Sequence, residues 1–312
     1  MRSDNSVSML SAIGNTPLIK LERIVPQGSA DIWVKIESGN PTGSYKDRMA
    51  LAMVEAIEKR ADFNPETMLL ECTGGSTGSS LAFICAVKGY RFTVISSDAY
   101  AKEKLDSMRA YGANLIIEPS VGNVVTPDLW PRMLERAKDL VERKGYIHIN
   151  QFYNRDSLKG YAAMGQEIVE QIDQPIDAFC GAVGTAGMIV GAGGVIKSTW
   201  PNAKIIALEP DTSPVLSGGK PGAHGIDGTG AGFIPPLFDK DIVSNVLALP
   251  EAEARGMCRL LAKEEGIFAG TSSGLNVVAA LRLAKEIGRG GTVVTVVCDT
   301  GFKYLEGTLY QN

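Results

Sequence analysis

Lys46 stands in Asn40-Pro41-Thr42-Gly43-Ser44-Tyr45-Lys46-Asp47-Arg48, between a strand-like run at residues 32–37 and a helix-like run at residues 49–59. An amine at a strand-to-helix turn is placed to reach a ligand. The positive end of the helix dipole disfavours its ammonium form, and a neutral amine is what Schiff-base chemistry needs. The plain alternative is a solvated helix-start lysine paired with Asp47. Three further small-residue turns share this setting: Thr73-Gly74-Gly75-Ser76-Thr77-Gly78, residues 181–187, and Gly270-Thr271-Ser272-Ser273-Gly274. One candidate nucleophile and three cradles point to a phosphorylated cofactor held at the edge of a parallel sheet.

Each turn has its own chemistry. Gly181-Ala182-Val183-Gly184-Thr185-Ala186-Gly187 follows an apolar strand and opens a helix. Glycines allow close backbone approach, and a helix N-terminus offers unpaired N–H groups, so a phosphate is the natural guest; tight helix–strand packing with no ligand is the alternative. Glu209, ending the next strand, imitates a dinucleotide fingerprint. The glycines, however, run G-x-x-G-x-x-G rather than G-x-G-x-x-G, and no G-K-[ST] follows, which leaves NAD a minor alternative and excludes a Walker A loop. The hydroxyls and N–H groups of residues 73–78 suit a carboxylate, or serve only as a helix cap. Ser272 contacts a ligand or caps its helix.

The elements that must position these turns alternate. Strands are expected at residues 32–37, 68–71, 91–96, 114–118, 146–149, 178–180, 204–208 and 292–298. Helices are expected at 46–59, 77–88, 102–111 (closed by Gly112), 127–144 (capped by Thr126, with Pro127 first), 158–172, 187–198, 251–265 and 273–287. Residues 292–298 are nearly continuous Val and Thr, as a parallel strand buried on both faces requires. Such alternation makes an α/β fold of two domains, each a mostly parallel sheet flanked by helices, with the strongest boundary near residues 150–157. All four turns fall at carboxyl ends of strands, where open α/β sheets bind ligands. Residues 218–232 read as a long glycine-rich surface loop of functional length.

Composition narrows the function. At 312 residues the chain is long for one core. Apolar residues are 45% and charged residues 21%, an ordinary globular balance, and the net charge of −4 argues against nucleic acid or an anionic membrane as partner. No apolar run reaches membrane-spanning length, and Met1-Arg2-Ser3-Asp4-Asn5 has no signal-peptide core. Five scattered cysteines without a C-x-x-C pair fit reduced thiols in a cytoplasm. The 2 histidines, His148 and His224, lie far apart, which speaks against a histidine-based zinc site.

Taken in order, these segments resemble the cysteine synthase and cystathionine β-synthase family, the fold type II (tryptophan synthase β-like) pyridoxal-phosphate enzymes. Ile13-Gly14-Asn15-Thr16-Pro17-Leu18 is similar to the family's opening, residues 40–48 to its lysine motif, and residues 73–78 to its substrate-carboxylate loop. Gly184 to Met188 resembles its phosphate loop. Residues 228–235 resemble a late family segment, residues 265–274 its pyridine-nitrogen segment, and Cys298-Asp299-Thr300-Gly301-Phe302-Lys303-Tyr304-Leu305 its ending. The resemblance implies a larger phosphate-binding domain of residues 1–44 and 151–312 and a smaller substrate-loop domain of residues 45–150.

It also implies roles. Lys46 holds pyridoxal 5'-phosphate as a Schiff base and moves the Cα proton. Gly184, Thr185, Ala186, Gly187 and Met188 bind the phosphate, and Ser272 faces the pyridine nitrogen. Thr73, Gly74, Gly75, Ser76 and Thr77 receive the substrate carboxylate, with Ser76 also near the ring hydroxyl, and Gln151 lines the active site. No metal is implied. Two departures stand out. The family's loop usually reads T-S-G-N-T, so Ser76 replaces an asparagine with a shorter group of fewer hydrogen bonds, and Met188 replaces a phosphate-loop threonine. A hydroxyl rather than a carboxylate at the pyridine nitrogen makes a weaker electron sink, which favours loss of a β-leaving group over transamination. The implied activity is β-replacement on a serine-derived amino acid through an aminoacrylate, as in cysteine synthase, with O-acetylserine or a similar donor plus sulfide or another nucleophile. The alternatives are a β-eliminating serine/threonine-type ammonia-lyase and a catalytically silent pyridoxal-phosphate-binding paralogue. The partners expected are small molecules and a second copy in a homodimer. Neither a C-terminal regulatory domain nor an N-terminal haem-binding extension is expected.

Overall fold

The computed structural model describes residues 8–61, 63–122 and 128–311. Along the chain run β1 (Leu18–Lys20), β2 (Asp31–Ile36), α1 (Lys46–Glu58), β3 (Leu69–Cys72), α2 (Ser76–Lys88), β4 (Phe92–Ser97), α3 (Lys102–Ala110), β5 (Asn114–Glu118) and α4 (Leu129–Lys144). There follow β6 (Ile147–His148), α5 (Ser157–Gln171), β7 (Ala178–Ala182), α6 (Gly187–Thr199), β8 (Lys204–Pro210), β9 (Asn245–Leu249), α7 (Glu251–Leu260), α8 (Thr271–Ile287) and β10 (Thr292–Val297). Two compact units form. The first holds the chain up to Asn15, Asn40–Thr42 and Lys46–Asp156; the second holds Thr16–Gly39, Gly43–Tyr45 and the chain from Ser157 onward.

The first unit's sheet is wholly parallel, in the order β5-β4-β3-β6. The chain steps from β3 to β4 to β5 and then returns to the far side of β3, so strand order reverses between β3 and β6. The second sheet has the order β1-β2-β10-β7-β8-β9, parallel except for β1. Here the chain runs outward from β7 through β8 to β9 and comes back to place β10 on the other side, so the reversal lies between β7 and β10. Such reversals open a crevice at the carboxyl ends of the strands.

Burial explains which strands the sequence announces. Every residue of β4 and β10 is buried; β10 is continuous Val and Thr as two-sided coverage favours, while β4 also buries Thr93, Ser96 and Ser97. β1 and β9, which the periodicity does not reveal, are the two edges of the second sheet and stay largely uncovered. An edge strand needs no continuous apolar run. The second core gathers Ile32, Val34, Leu208, Val293 and Val297 against the α8 residues Leu275, Val278 and Leu283. The first packs Leu70, Cys72 and Ile95 on the α4 residues Leu129, Met133 and Leu140.

Several element ends differ from the sequence reading. Thr126 and Pro127 lie outside the described residues; α4 is described from Leu129, with Asp128 at its cap position. Tyr111 rather than Gly112 caps α3, and Gly112 is the left-handed residue beyond it at φ +86°. The N–H groups of Gly112 and Ala113 return to the carbonyls of Arg109 and Met108, the double closure that favours glycine there. The helix of residues 251–265 is α7 followed by one π-helical turn, Leu261–Glu265. The Gly270 turn accordingly follows that turn and a single bridge between Ala269 and Thr300, not a strand of the sheet. Among the described residues no helix is long and apolar enough to cross a membrane.

Candidate active-site loops

In the first unit Lys46 is the first residue of α1 and is 8% exposed, so it is not a solvated surface lysine. The turn before it is tied inward. Asp47, fully buried, accepts from the Thr42 N–H at 2.8 Å and from the Thr42 hydroxyl at 2.6 Å. Asn40 Oδ1 accepts from the Gly14 N–H at 2.9 Å. These bonds occupy both oxygens of the carboxylate next to the lysine and fix the entry of α1.

The Thr73–Thr77 loop joins β3 to α2 at the first unit's strand reversal. Gly75 is the cap residue of α2 and makes no side-chain cap bond; its carbonyl accepts from the Gly78 N–H at 3.0 Å. Gln151, three residues beyond β6, lies across the reversal. Its Oε1 accepts from the Thr77 hydroxyl at 2.7 Å, and its Nε2 donates to the Cys72 carbonyl at 3.2 Å. Glu71, buried in β3, accepts from the backbone N–H groups of Cys72 at 2.9 Å and Gln151 at 3.1 Å. The structure therefore brings Gln151 and the loop together within one unit. His148, which the sequence assigns to no zinc site, places Nε2 3.5 Å from the same glutamate. Among the described residues no group of three or more metal-binding side chains occurs.

In the second unit Gly184–Met188 connects β7 to α6 beside that sheet's reversal. A Cβ on Gly184 would overlap the Gly228 carbonyl oxygen. Ala186, the cap residue of α6, sits in the left-handed region at φ +68°, where a non-glycine residue costs of order 1–3 kcal/mol and concentrates at functional sites. Ala186 itself makes no side-chain cap bond, but the Thr185 hydroxyl accepts from the N–H of Gly187, the first residue of α6, at 3.4 Å. Met188 is buried, and its Cε occupies the space that a side chain on Gly181 would need. Its contribution to an anion is thus limited to the backbone N–H, which is what the loss of the family's threonine leaves. Tyr161 lies against Gly187 on one side, and its ring centroid is 5.4 Å from that of Tyr45 on the other. Tyr45 precedes Lys46 in the chain and donates its N–H to the Cys298 carbonyl at 2.9 Å.

Ser272 lies in the first turn of α8 and is 5% exposed. The neighbouring Ser273 accepts from the Cys298 N–H at 2.9 Å, which seats the helix start on the carboxyl end of β10. Asn276, one turn on, completes the seat. Its Oδ1 accepts from the Ala182 N–H at 2.7 Å, and its Nδ2 donates to the Val296 carbonyl at 2.7 Å. β7 and β10 pair only through Ala178 and Phe179, and the asparagine satisfies the backbone groups where they diverge. Sequence reading missed Asn276, Tyr161 and Tyr100, which lies over Gly74.

Several phenols and thiols around the loops of the second unit are held neutral. Burial, then the nearby Cys298, holds the Tyr45 phenol well above its usual range. Burial, then Asp299, does the same for Tyr304, and burial pushes the thiols of Cys180 and Cys258 up to about 12. These groups stay neutral at ordinary pH. The donor set fits pyridoxal phosphate: glycine-bearing helix starts suit a phosphate ester, a buried primary amine suits an aldehyde, and a buried hydroxyl suits a pyridine nitrogen.

Two parallel α/β units with small-residue loops at both strand reversals define a fold type II enzyme. The chain belongs to the pyridoxal-phosphate dependent enzyme family, whose model matches residues 9–299. It is 42% identical over 301 residues to the cysteine synthase of Staphylococcus aureus (strain Mu50 / ATCC 700699), across 96% of this chain and 95% of that relative. The crystal structure of the Entamoeba histolytica cysteine synthase superposes with a TM-score of 0.92 at 33% identity, covering 100% of this chain and 93% of that one. That of an O-ureido-L-serine synthase gives a TM-score of 0.91 at 33% identity, covering 98% and 95%. The chain is thus a pyridoxal-phosphate-dependent enzyme.

Proposed function

We propose that the chain is a cysteine synthase-like transferase that replaces the β-substituent of a serine-derived amino acid, with O-acetylserine or a similar ester as donor and sulfide or another small nucleophile as acceptor. The observation that carries this is its similarity to a cysteine synthase over 96% of its length. When bound, pyridoxal phosphate supplies the electron sink that makes loss of a Cα proton and a β-substituent feasible. Lys46 Nζ would hold it covalently and carry the Cα proton. The N–H groups of Gly184–Met188, with the Thr185 hydroxyl, would bind the phosphate, and the Ser272 hydroxyl would face the pyridine nitrogen. Thr73–Thr77 would receive the donor's carboxylate, with Gln151 holding Thr77 in place. In this reading residues 1–44 with 151–312 serve the phosphate and residues 45–150 the substrate. Five free, buried cysteines support a reducing compartment such as the cytoplasm, and the working form is a homodimer, testable by light scattering.

Lys46→Ala is expected to remove the visible absorbance of the bound cofactor and to lower turnover by roughly a hundredfold to ten-thousandfold. A panel of O-acetylserine, O-phosphoserine and serine, with and without sulfide and with product analysis, tests the reaction. Cysteine formed only with sulfide supports replacement. Pyruvate from every donor regardless of sulfide makes the chain a lyase instead.

A further inference from the structure

Within the first unit the ring of Tyr100 lies across Gly74, the second residue of the Thr73–Thr77 loop. A Cβ on Gly74 would overlap the ring's Cγ, Cδ1 and Cδ2 at once. One space thus serves two positions, and residue 74 can carry no side chain while Tyr100 fills it. Tyr100 belongs to the β4–α3 connection, where its N–H donates to the Ser97 carbonyl at 3.2 Å. Its ring packs on the cluster containing Leu70, Cys72 and Ile95, yet the residue is only half-buried. The adjacent Gly75 meets nothing within 4 Å, so the loop is walled at residue 74 and open at residue 75.

We propose that Tyr100 is a specificity-determining residue: standing in for the side chain that position 74 lacks, its ring walls the donor site and favours amino acids with an unbranched β-carbon over those bearing a β-methyl. This rests on the reading of Thr73–Thr77 as the carboxylate loop. A rigid aromatic wall is suited to such a choice, because one methyl group in a fitted pocket is worth roughly 10–200-fold in discrimination. The ring occupies the place of the side chain that residue 74 lacks, and the ring's shape rather than its phenol hydroxyl makes the wall, so phenylalanine should serve in its place.

The test uses calorimetric dissociation constants of the pyridoxal-phosphate-loaded enzyme for 2-aminobutyrate and valine, which differ by that β-methyl and carry no leaving group. The wild type is expected to bind 2-aminobutyrate roughly tenfold tighter. Tyr100→Ala should reduce the preference to about twofold or less, whereas Tyr100→Phe keeps the ring and should keep the preference. Gly74→Ser should displace the ring and also erode it. In Gly74→Ser/Tyr100→Ala the serine takes the vacated space, so the combined loss should fall short of the sum. A preference that survives Tyr100→Ala, or losses that simply add, overturns the proposal. Circular dichroism checks folding, and Tyr100→Leu, which keeps the contact with the cluster, replaces the alanine variant if that fails to fold. Thr73→Ala separates the two readings. If it weakens 2-aminobutyrate binding while Tyr100→Ala leaves the preference intact, the wall alone is refuted; if it leaves 2-aminobutyrate binding unchanged, the loop assignment fails and the wall with it.

Discussion

The starts of α2 and α6 are built alike and limited differently. Each follows a buried parallel strand beside a strand reversal, and each opens a helix whose cap residue, Gly75 or Ala186, makes no side-chain cap bond. At Gly184 the space of the missing side chain is filled by main chain, the Gly228 carbonyl. At Gly74 it is filled by a side chain, the Tyr100 ring. The Gly228 segment cannot step aside cheaply. The Gly230 N–H donates to the Val183 carbonyl at 3.0 Å, the Thr229 hydroxyl to the Ile226 carbonyl at 3.0 Å, and the Asp227 N–H to the Thr271 hydroxyl at 3.1 Å. A tyrosine can be exchanged by one substitution. The Gly184 turn is therefore a backbone shape, while the Thr73–Thr77 loop takes its shape from a replaceable residue. Under the proposed function, that would let one scaffold keep its cofactor and vary its substrate.

The contrast breaks first at Gly184. Gly184→Ala forces a methyl group against a tethered carbonyl, and the 224–230 segment must move with it. Pyridoxal phosphate affinity, read by spectroscopic titration of the apo chain, is expected to fall about a hundredfold, or about 2.7 kcal/mol. An unchanged affinity would show that this backbone yields as readily as a side chain.

A comparable effect, read in stability, belongs to the scaffold beneath α8. Asn276→Leu keeps the side chain's bulk but leaves the Ala182 N–H and the Val296 carbonyl buried without their partner. The expected cost is about 2–3 kcal/mol in a urea melt, most of it desolvation of groups left unpaired. A loss below about 0.5 kcal/mol would mean that water or a backbone shift replaces the asparagine, and that the crevice is less rigid than its hydrogen bonds suggest.

What was legible in the sequence was whatever is written locally. Lys46 and the glycine turns stood out because their residue types declare a turn and a candidate amine within ten positions, and the structure places Lys46 buried at the start of α1. The alternating elements were legible because a parallel strand covered on both faces, such as β10, reads as an unbroken run of Val and Thr. Asn276 was not legible. Its partners lie 94 and 20 positions away, and in the helix it reads as an ordinary polar residue. Tyr100 meets Gly74 only because β4 pairs with β3 in a register that lays one strand's exit over the next. Met188 shows the middle case: its identity announced a missing hydroxyl, but only the packing against Gly181 shows where the side chain went.

The smallest effect sharpens the comparison from the opposite side. Gly75 is the loop glycine whose added Cβ would meet nothing within 4 Å, and its φ of −141° lies in a range that any residue adopts. Alanine gives up some of glycine's advantage as a helix cap, worth up to about 1 kcal/mol. It also narrows the unfolded ensemble, which returns about 0.4–1 kcal/mol. Gly75→Ala is therefore expected to alter stability by less than about 1 kcal/mol in the same urea melt. If it instead destabilises as strongly as Asn276→Leu, the loop is closed at residue 75, and its openness toward a donor would have to lie elsewhere along Thr73–Thr77.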